Sequence, residues 1–213
     1  MITGECGSNF RIINEAKGVL HAKLIAKGKT SHSAYPWRGE NAIIKLHHAI
    51  HAILDEFPMP YEETHQTTVN VTHVQTSNLP TNTVTPEHCE AILDIRYLHG
   101  EDKSVLHTID SLLPEGVRYE VVFNSAPHKT DPKNKYITLL SQATEAVLHE
   151  KPVLAKAHAT SDARHFTEFG CDGVEFGPIG GNQHHDEEWV DIKSLENYFF
   201  ILKTFLTNAI EIK

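Results

Sequence analysis

A loop rich in glycine and ionisable side chains occupies residues 177–192, G-P-I-G-G-N-Q-H-H-D-E-E-W-V-D-I. Glycine lets a backbone turn tightly, and ionisable groups on such loops are typical of binding and catalytic sites. His184 and His185 stand directly before three acidic residues, and imidazole with nearby carboxylates is a usual ligand set for zinc and related metals. The same composition also fits a solvated acidic loop, and one short cluster supplies few ligands for a closed site.

A second polar cluster, T-S-D-A-R at residues 160–164, covers the start of a predicted short helix from about Asp162 to Phe169. Ser161 or Asp162 could cap that helix while Arg164 is solvated, which explains the residue types without any chemistry. Ser161 is a weak candidate nucleophile because no G-x-S-x-G turn surrounds it. The cluster by itself leaves a structural and a functional interpretation open.

Further candidates lie earlier in the chain, on a predicted strand and a predicted turn. Asp94 and Arg96 share one face of an alternating strand. A solvated sheet face explains them, but an arginine on a rigid strand can also bind a carboxylate through two hydrogen bonds. His32 lies in a turn between two serines and indicates little alone. Three more of the 16 histidines fall within a predicted helix and carry no site prediction: His47, His48 and His51.

The elements that must position these residues follow two patterns. From residue 18 to 123, alternating strands and amphipathic helices occur in the order β-α-β-β-α-β, which predicts a ferredoxin-like sheet with helices on one face. Alternating helices and strands after Ser125 predict a separate α/β layer. We therefore expect boundaries near Arg11 and Ala126, which divide the chain into residues 1–10, 11–125 and 126–213.

Composition restricts the classes of function. The formal net charge of -9, with no lysine or arginine cluster, argues against a surface for nucleic acid or anionic membranes. No apolar run approaches the ~20 residues that span a bilayer, and the N-terminus lacks the regions of a signal peptide. Cys6, Cys89 and Cys171 show no C-x-x-C spacing, which favours a reducing compartment. We expect a cytoplasmic protein.

Five motifs in register resemble the C-terminal portion of the dinuclear-zinc amidohydrolase and exopeptidase family. This is the group of succinyl-diaminopimelate desuccinylase, acetylornithine deacetylase, aminoacylase-1 and glutamate carboxypeptidase. The motifs are G-E at 4–5, G-K-T-S-H-S-A-Y-P with G-E-N-A across 28–42, N-T-V-T-P with D-I-R across 82–96, T-S-D-A-R at 160–164, and the loop at 177–192. The resemblance implies an α/β fold in which a ferredoxin-like dimerisation and lid domain is inserted in the second half of a zinc-exopeptidase-like metal domain.

The resemblance also implies metal ligands and an oxyanion-binding group. Glu5 would bind one zinc ion and His184 the other. His184 is preferred to His185 because the family's histidine stands four residues before a glutamate, here Glu188. His32 would reach into the partner subunit's site within a homodimer and stabilise the tetrahedral oxyanion.

The remaining implied roles concern the substrate. Arg96 and Asn82 would bind the substrate carboxylate. The pocket would be lined by Thr160, Gly180 and Gly181, and braced by Asp162 and Arg164. The implied activity is hydrolysis of amide bonds in N-acyl amino acids or small peptides. Two zinc ions, with cobalt or manganese as alternatives, would polarise the carbonyl and lower the pKa of bound water toward ~7, and a glutamate base would accept the proton.

The sequence departs from the family pattern in its metal ligands. The family places a histidine two residues before a bridging aspartate, and a Glu-Glu pair, ahead of the Gly-Glu strand. Outside the His184 motif this chain has no His-x-Asp, and its Glu-Glu pairs at 62–63 and 187–188 belong to a lid loop and to that motif. Because a zinc ion needs about three protein ligands, we expect a truncated chain that is inactive alone. The alternative is a non-catalytic dimerisation or regulatory module that retains the lid.

Overall fold

The computed structural model describes residues 1–77 and 81–211 and divides the chain into two compact units. Residues 18–125 form one unit, called here the ferredoxin-like unit. Residues 1–17 and the chain from 126 onward form the other, called the α/β unit. The first boundary lies at Lys17–Gly18 rather than near Arg11, because residues 12–16 form a strand in the sheet of the α/β unit.

Thirteen strands and five α-helices make up the described part of the chain, with one 3-10 turn at Pro36–Arg38. In chain order they are β1 (Ile2–Thr3), β2 (Ile12–Ala16), β3 (Gly18–Lys27), β4 (Ser31–His32), α1 (Ala42–Glu56), β5 (Thr68–Thr76), β6 (Val84–Thr85), β7 (His88–Tyr97), α2 (Asp102–Leu112), β8 (Val117–Ser125), β9 (His128–Lys129), α3 (Lys135–Leu148), β10 (Leu154–Ala157), α4 (Arg164–Thr167), β11 (Val174–Glu175), β12 (Gly180–Gly181), β13 (Trp189–Val190) and α5 (Ile192–Glu211).

The ferredoxin-like unit confirms the predicted β-α-β-β-α-β order. Its four long strands form an antiparallel sheet in the order β5-β7-β3-β8, and β4 and β6 pair in a separate two-stranded ribbon. Burial alternates along β7, as expected for a sheet with one covered face. The core joins that face to α1 and α2 through Leu20, Leu24, Leu46, Ile53, Leu93, Ile95 and Ile109.

Helix α1 is fixed in place at its start and along one face. The Asn41 side chain caps it, with Oδ1 accepting a hydrogen bond from the Ile43 N–H at 2.9 Å. Its buried residues recur at helical spacing: Ala42, Leu46, Ala49 and Ile53. The opposite face of α1 is therefore held toward solvent.

The α/β unit contains a mixed sheet in the order β1-β11-β2-β10, with β9 also paired to β2. β1 runs parallel to β11, and β10 runs parallel to β2, whereas β9 and β11 are antiparallel to β2. Helices α3 and α5 pack together, and the core includes Phe10, Ile12, Ile137, Leu140, Val174, Phe176 and Ile201. Among the described residues, no helix is sufficiently long and apolar to cross a membrane, including the 20-residue α5.

Candidate functional site

Glu5 lies on the turn after β1, where its carboxylate contacts the loop that carries His184. Gln183 donates from Nε2 to Glu5 Oε1 at 3.3 Å and also to the carbonyl oxygen of Cys6. The turn is closed by Ser8, whose hydroxyl donates to the Glu5 carbonyl oxygen at 2.7 Å. The two segments predicted to supply zinc ligands are thus joined through Gln183, a residue that the sequence reasoning missed.

Glycines allow the loop at 177–192 to approach this turn. A Cβ atom on Gly177 would lie 2.0 Å from the Glu5 carbonyl oxygen, and one on Gly180 would lie 2.0 Å from Cys6 Sγ. The Gly180 N–H also donates to Asn9 Oδ1 at 3.1 Å. Gly180, predicted to line the pocket, therefore packs directly against the Gly-Glu-Cys turn, and a larger residue would push the two segments apart. Gly181, predicted for the same role, packs against the indole ring of Trp189.

His184 lies in the exposed turn between β12 and β13. Its φ of 65° and the φ of 56° at Asn182 are both in the left-handed region, which non-glycine residues seldom adopt. Such backbone conformations persist where the surrounding structure enforces them, and they are frequent at ligand-binding sites. The neighbouring His185 is also exposed.

Glu175 is a carboxylate near this site that the sequence reasoning missed. It lies on β11 between the buried Val174 and Phe176. Burial raises the pKa of Glu175; a hydrogen bond from Ser161 opposes this rise, and the negative charge of Glu5 adds to it. In the sequence, Glu175 could have been noticed as a single acidic residue between two apolar residues of a predicted buried strand.

The T-S-D-A-R segment is held by Arg164. Its Nη1 donates at 3.0 Å both to the Ser161 carbonyl oxygen and to Asp162 Oδ1. The Ser161 hydroxyl is buried and accepts a hydrogen bond from the Ala163 N–H at 3.3 Å, while Thr160 is half-buried. Helix α4 starts at Arg164 and has no side-chain cap. The residues Asp162 and Arg164, predicted to brace a pocket, bind each other, and Ser161 links this segment to Glu175.

His32 and Asn82 lie on the β4–β6 ribbon of the ferredoxin-like unit. His32 pairs with Val84, and Asn82 occupies the exposed turn just before β6. The Ser33 N–H donates to the Thr83 carbonyl oxygen at 2.7 Å, which extends the pairing toward Asn82. The Ala34 N–H donates to His32 Nδ1 at 3.1 Å. A neutral His32 accepting this bond carries its proton on Nε2.

Arg96 lies on the main sheet of this unit and not on the ribbon. Its Nε donates to Asp94 Oδ1 at 2.7 Å and its Nη2 to Asp94 Oδ2 at 3.0 Å. His21 Nε2 also contacts Asp94 Oδ2 at 3.0 Å. Burial alone would raise the pKa of Asp94, but hydrogen bonds and charge attraction from Arg96, and then from His21, outweigh it and lower this pKa. The arginine predicted to hold a substrate carboxylate is already engaged by an internal one.

The described residues do not by themselves fit a zinc centre. Across residues 1–77 and 81–211, no three histidine, cysteine, aspartate or glutamate side chains are grouped so that they could hold a metal ion. Zinc takes three protein ligands at catalytic sites and four at structural ones. Glu5 and His184 are therefore at most a partial ligand set.

Comparisons with known proteins agree with this architecture. The peptidase dimerisation domain family (M20) matches residues 14–117. Succinyl-diaminopimelate desuccinylase of Granulibacter bethesdensis is 30% identical over 206 residues, which cover 89% of this chain and 52% of the relative. The Helicobacter pylori desuccinylase is 30% identical over 186 residues, 84% of this chain and 48% of the relative. The chain spans about half the length of these curated relatives.

Solved structures show the same fold. The aminopeptidase PepT of Bacillus cereus superposes with a TM-score of 0.79 at 17% identity, covering 94% of this chain and 54% of that one. An M20 family metallo-carboxypeptidase of Sulfolobus solfataricus superposes with a TM-score of 0.67 at 16% identity, covering 95% and 60%. Both superpositions extend over nearly all of this chain.

Proposed function

Because the chain belongs to the M20 family of zinc amidohydrolases and exopeptidases and corresponds to its C-terminal portion, we propose that it takes part in hydrolysing amide bonds of N-acyl amino acids or small peptides. Two of its relatives are desuccinylases, which act on an N-acylated amino acid. Its structural neighbours include an aminopeptidase and a carboxypeptidase.

The observation that carries this proposal is the contact of Gln183 with Glu5. It holds the turn of one candidate ligand against the loop of the other, His184, with the close approach allowed by Gly177 and Gly180. Such packing supports Glu5 and His184 as ligands that contribute to a zinc site, or to a cobalt or manganese site, since the ligand types suit all three metals. When bound, the metal would supply Lewis-acid activation of the substrate carbonyl.

The other proposed contributions of this chain are binding and positioning. His32, with Nδ1 occupied by the Ala34 N–H, would present an Nε2–H donor to an oxyanion in the partner subunit of a homodimer. Asn82 would contact the substrate carboxylate, and so would Arg96, whose Nε and Nη2 bind Asp94 in this structure. Thr160 and Gly180–Gly181 would line the pocket, and the Asp162–Arg164 pair would support it.

Since the described ligand set is partial, we propose that the 213-residue chain is inactive by itself. The test is release of free amino acid from N-succinyl and N-acetyl amino acids and dipeptides, with Zn²⁺, Co²⁺ or Mn²⁺ added. The expected rate equals that of a Glu5→Ala/His184→Ala control. Turnover clearly above that control would overturn the proposed inactivity.

Participation in hydrolysis is tested in the natural reading frame that contains this chain, with whatever coding sequence precedes Met1. Activity there should fall at least ~100-fold on replacing Glu5 or His184, as expected for loss of a ligand that positions the catalytic metal. Hydrolysis that is insensitive to both replacements would refute the proposed ligand roles.

A non-catalytic dimerisation or regulatory module is the second candidate. It is favoured by the absence of a three-ligand group among the described residues and by the family match, which lies on the dimerisation domain. Under this proposal the natural reading frame lacks hydrolase activity, the chain is a dimer by light scattering, and it retains less than one zinc ion after dialysis.

The proposed location is the cytoplasm. All three cysteines of the chain, Cys6, Cys89 and Cys171, are free thiols. Unpaired cysteines are typical of proteins kept in a reducing compartment. Fractionation of cells expressing the natural gene would check this location.

A further inference from the structure

We propose that the outer face of α1 binds one divalent transition-metal ion, of the copper or nickel class, through the imidazoles of His47 and His51. This site is separate from Glu5 and His184, and it does not depend on the proposed hydrolase function. Side chains four residues apart are neighbours on one helix face. Two histidines at that spacing are the metal-binding element of the H-E-x-x-H motif.

The packing of α1 points both imidazoles outward. Ala42, Leu46, Ala49 and Ile53 bury the opposite face, so the helix cannot rotate about its axis to turn the histidines inward. His47 and His51 are both exposed, and the side chain of His51 is 65% accessible. An ion can therefore reach them without any opening of the fold.

Asp55 prepares His51 for a metal. Its Oδ2 lies 2.8 Å from His51 Nδ1, one further helical turn along the same face. A carboxylate on one ring nitrogen fixes the tautomer and the ring orientation, leaves Nε2 as the free ligand atom, and increases its basicity. Carboxylate, histidine and metal in this order form a recurring arrangement in metalloproteins.

The two rings are near the separation that a shared ion requires. Their centroids lie 6.3 Å apart with an interplanar angle of 70°. An ion bound at ~2.1 Å from each ring nitrogen would draw the rings together by roughly 1 Å, a change that exposed side chains make by rotation about χ1 and χ2.

The remaining coordination would come from water, because the site supplies two protein ligands. The relative affinities should follow the general order for divalent ions at nitrogen ligands, with copper above nickel and zinc. His48 is the natural control. Its ring centroid is 5.9 Å from that of His47, but a residue one position along a helix points to a different side.

The test is a calorimetric titration of the tag-free chain with Cu²⁺, in a Glu5→Ala/His184→Ala background that removes the other candidate ligands. We expect one site of roughly micromolar affinity, and electron paramagnetic resonance should show two nitrogen ligands. His47→Gln and His51→Gln should each weaken this site about tenfold or more, whereas His48→Gln should change it less than twofold. Equal losses in all three variants, or no saturable site, would overturn the proposal.

The role of Asp55 is tested by a pair of variants. Asp55→Ala removes the acceptor for His51 Nδ1–H and should weaken Cu²⁺ binding by roughly tenfold. Asp55→Asn keeps an oxygen acceptor at the same position and should recover most of that loss. An unchanged affinity in Asp55→Ala would show that the carboxylate does not orient His51. Circular dichroism should be unchanged in every variant, because the altered side chains are exposed.

Discussion

The ferredoxin-like unit and the α/β unit are built in opposite ways. The first is one continuous segment with four long strands and a core that its own helices cover. The second is assembled from two distant segments, and β1, β9, β11, β12 and β13 have only two residues each. Regular strand pairing is extensive in the first unit, whereas the second combines a helix-covered core with short strands and closely packed loops.

Both units leave large apolar side chains exposed, including Trp37 and Tyr61 in the ferredoxin-like unit, but the α/β unit leaves more of them. Helix α5 leaves Ile192 82% and Phe199 61% accessible, and α4 is followed by Phe169 at 84%. Exposed aromatic and aliphatic groups at this density are more typical of interaction surfaces than of a free protein surface. The following predictions test the contrast between the two units.

Removal of a fully buried side chain should have the largest effect. Leu93→Ala, in the core of the ferredoxin-like unit, should destabilise that unit by about 3 kcal/mol because it leaves a cavity between the sheet and its helices. Phe199→Ala in α5 should cost less than about 1 kcal/mol, since its ring is already largely accessible. Hydrogen exchange followed by mass spectrometry measures each unit separately. A larger loss from Phe199→Ala would contradict the contrast.

Loop packing in the α/β unit should be nearly as sensitive. Gly180→Ala places a Cβ against Cys6 Sγ and the Trp189 carbonyl oxygen, so it should cost about 2 kcal/mol by overpacking. Gly100→Ala meets open space, and only its positive φ of 83° opposes it, so about 1 kcal/mol is expected. Urea unfolding of the two variants gives the comparison. Equal losses of unfolding free energy in the two variants would mean that the loop around Gly180 shifts to accommodate the added methyl group.

Asp94 should stabilise the ferredoxin-like unit in a pH-dependent way. Because its pKa is lowered in the folded protein, its contribution is present above the ordinary aspartate range near ~3.9 and is lost as the pH falls through the lower folded value. Asp94→Asn should therefore cost about 1 kcal/mol at pH 7, a modest value because Arg96 is partly exposed. This difference should disappear in strong acid. Thermal unfolding across that pH range checks it, and a constant difference would refute it.

Glu175 should show the opposite sign and the smallest effect. Burial and the charge of Glu5 raise its pKa, so the ionised carboxylate costs stability as the pH rises through the glutamate range. Glu175→Gln should stabilise the α/β unit at pH 7 by roughly 0.5 kcal/mol and should have little effect below pH ~4. Hydrogen exchange at both pH values measures this, and destabilisation at pH 7 would argue that the hydrogen bond from Ser161 dominates.

The same contrast explains how much of the fold could be predicted. In the ferredoxin-like unit the signals are local: β7 alternates buried and half-buried residues along its length, and the side chain of Asn41 caps α1 directly before its first residue. Strand β2 gives no such signal, because all five of its residues are buried, including Asn14 and Glu15. Its pairing with β10 depends on residues about 140 positions later, which no local pattern contains.

The residues of the candidate site also fall into those that sequence motifs identify and those that only long-range contacts identify. Its motif residues, such as Glu5 and His184, could be named from resemblance. Gln183 could not, because its importance arises from a contact between distant segments. Glu175 was marked only as an acidic residue within an apolar strand, and its neighbours Ser161 and Glu5 come from distant segments. The Asp94–Arg96 pair was visible as two residues on one strand face, but not as an internal ion pair.

The pairing of β2 with β9 has a consequence for how the chain can change in evolution. The chain leaves the α/β unit after Lys17 and returns at Ala126. Next to these boundaries, Ala16 and His128 are register partners on adjacent antiparallel strands. The whole ferredoxin-like unit therefore occupies the topological position of a hairpin turn. The segment that encodes residues 18–125 could therefore be gained or lost as one insertion. Replacing it by a short turn would connect β2 directly to β9 and leave the strand order of the α/β sheet unchanged.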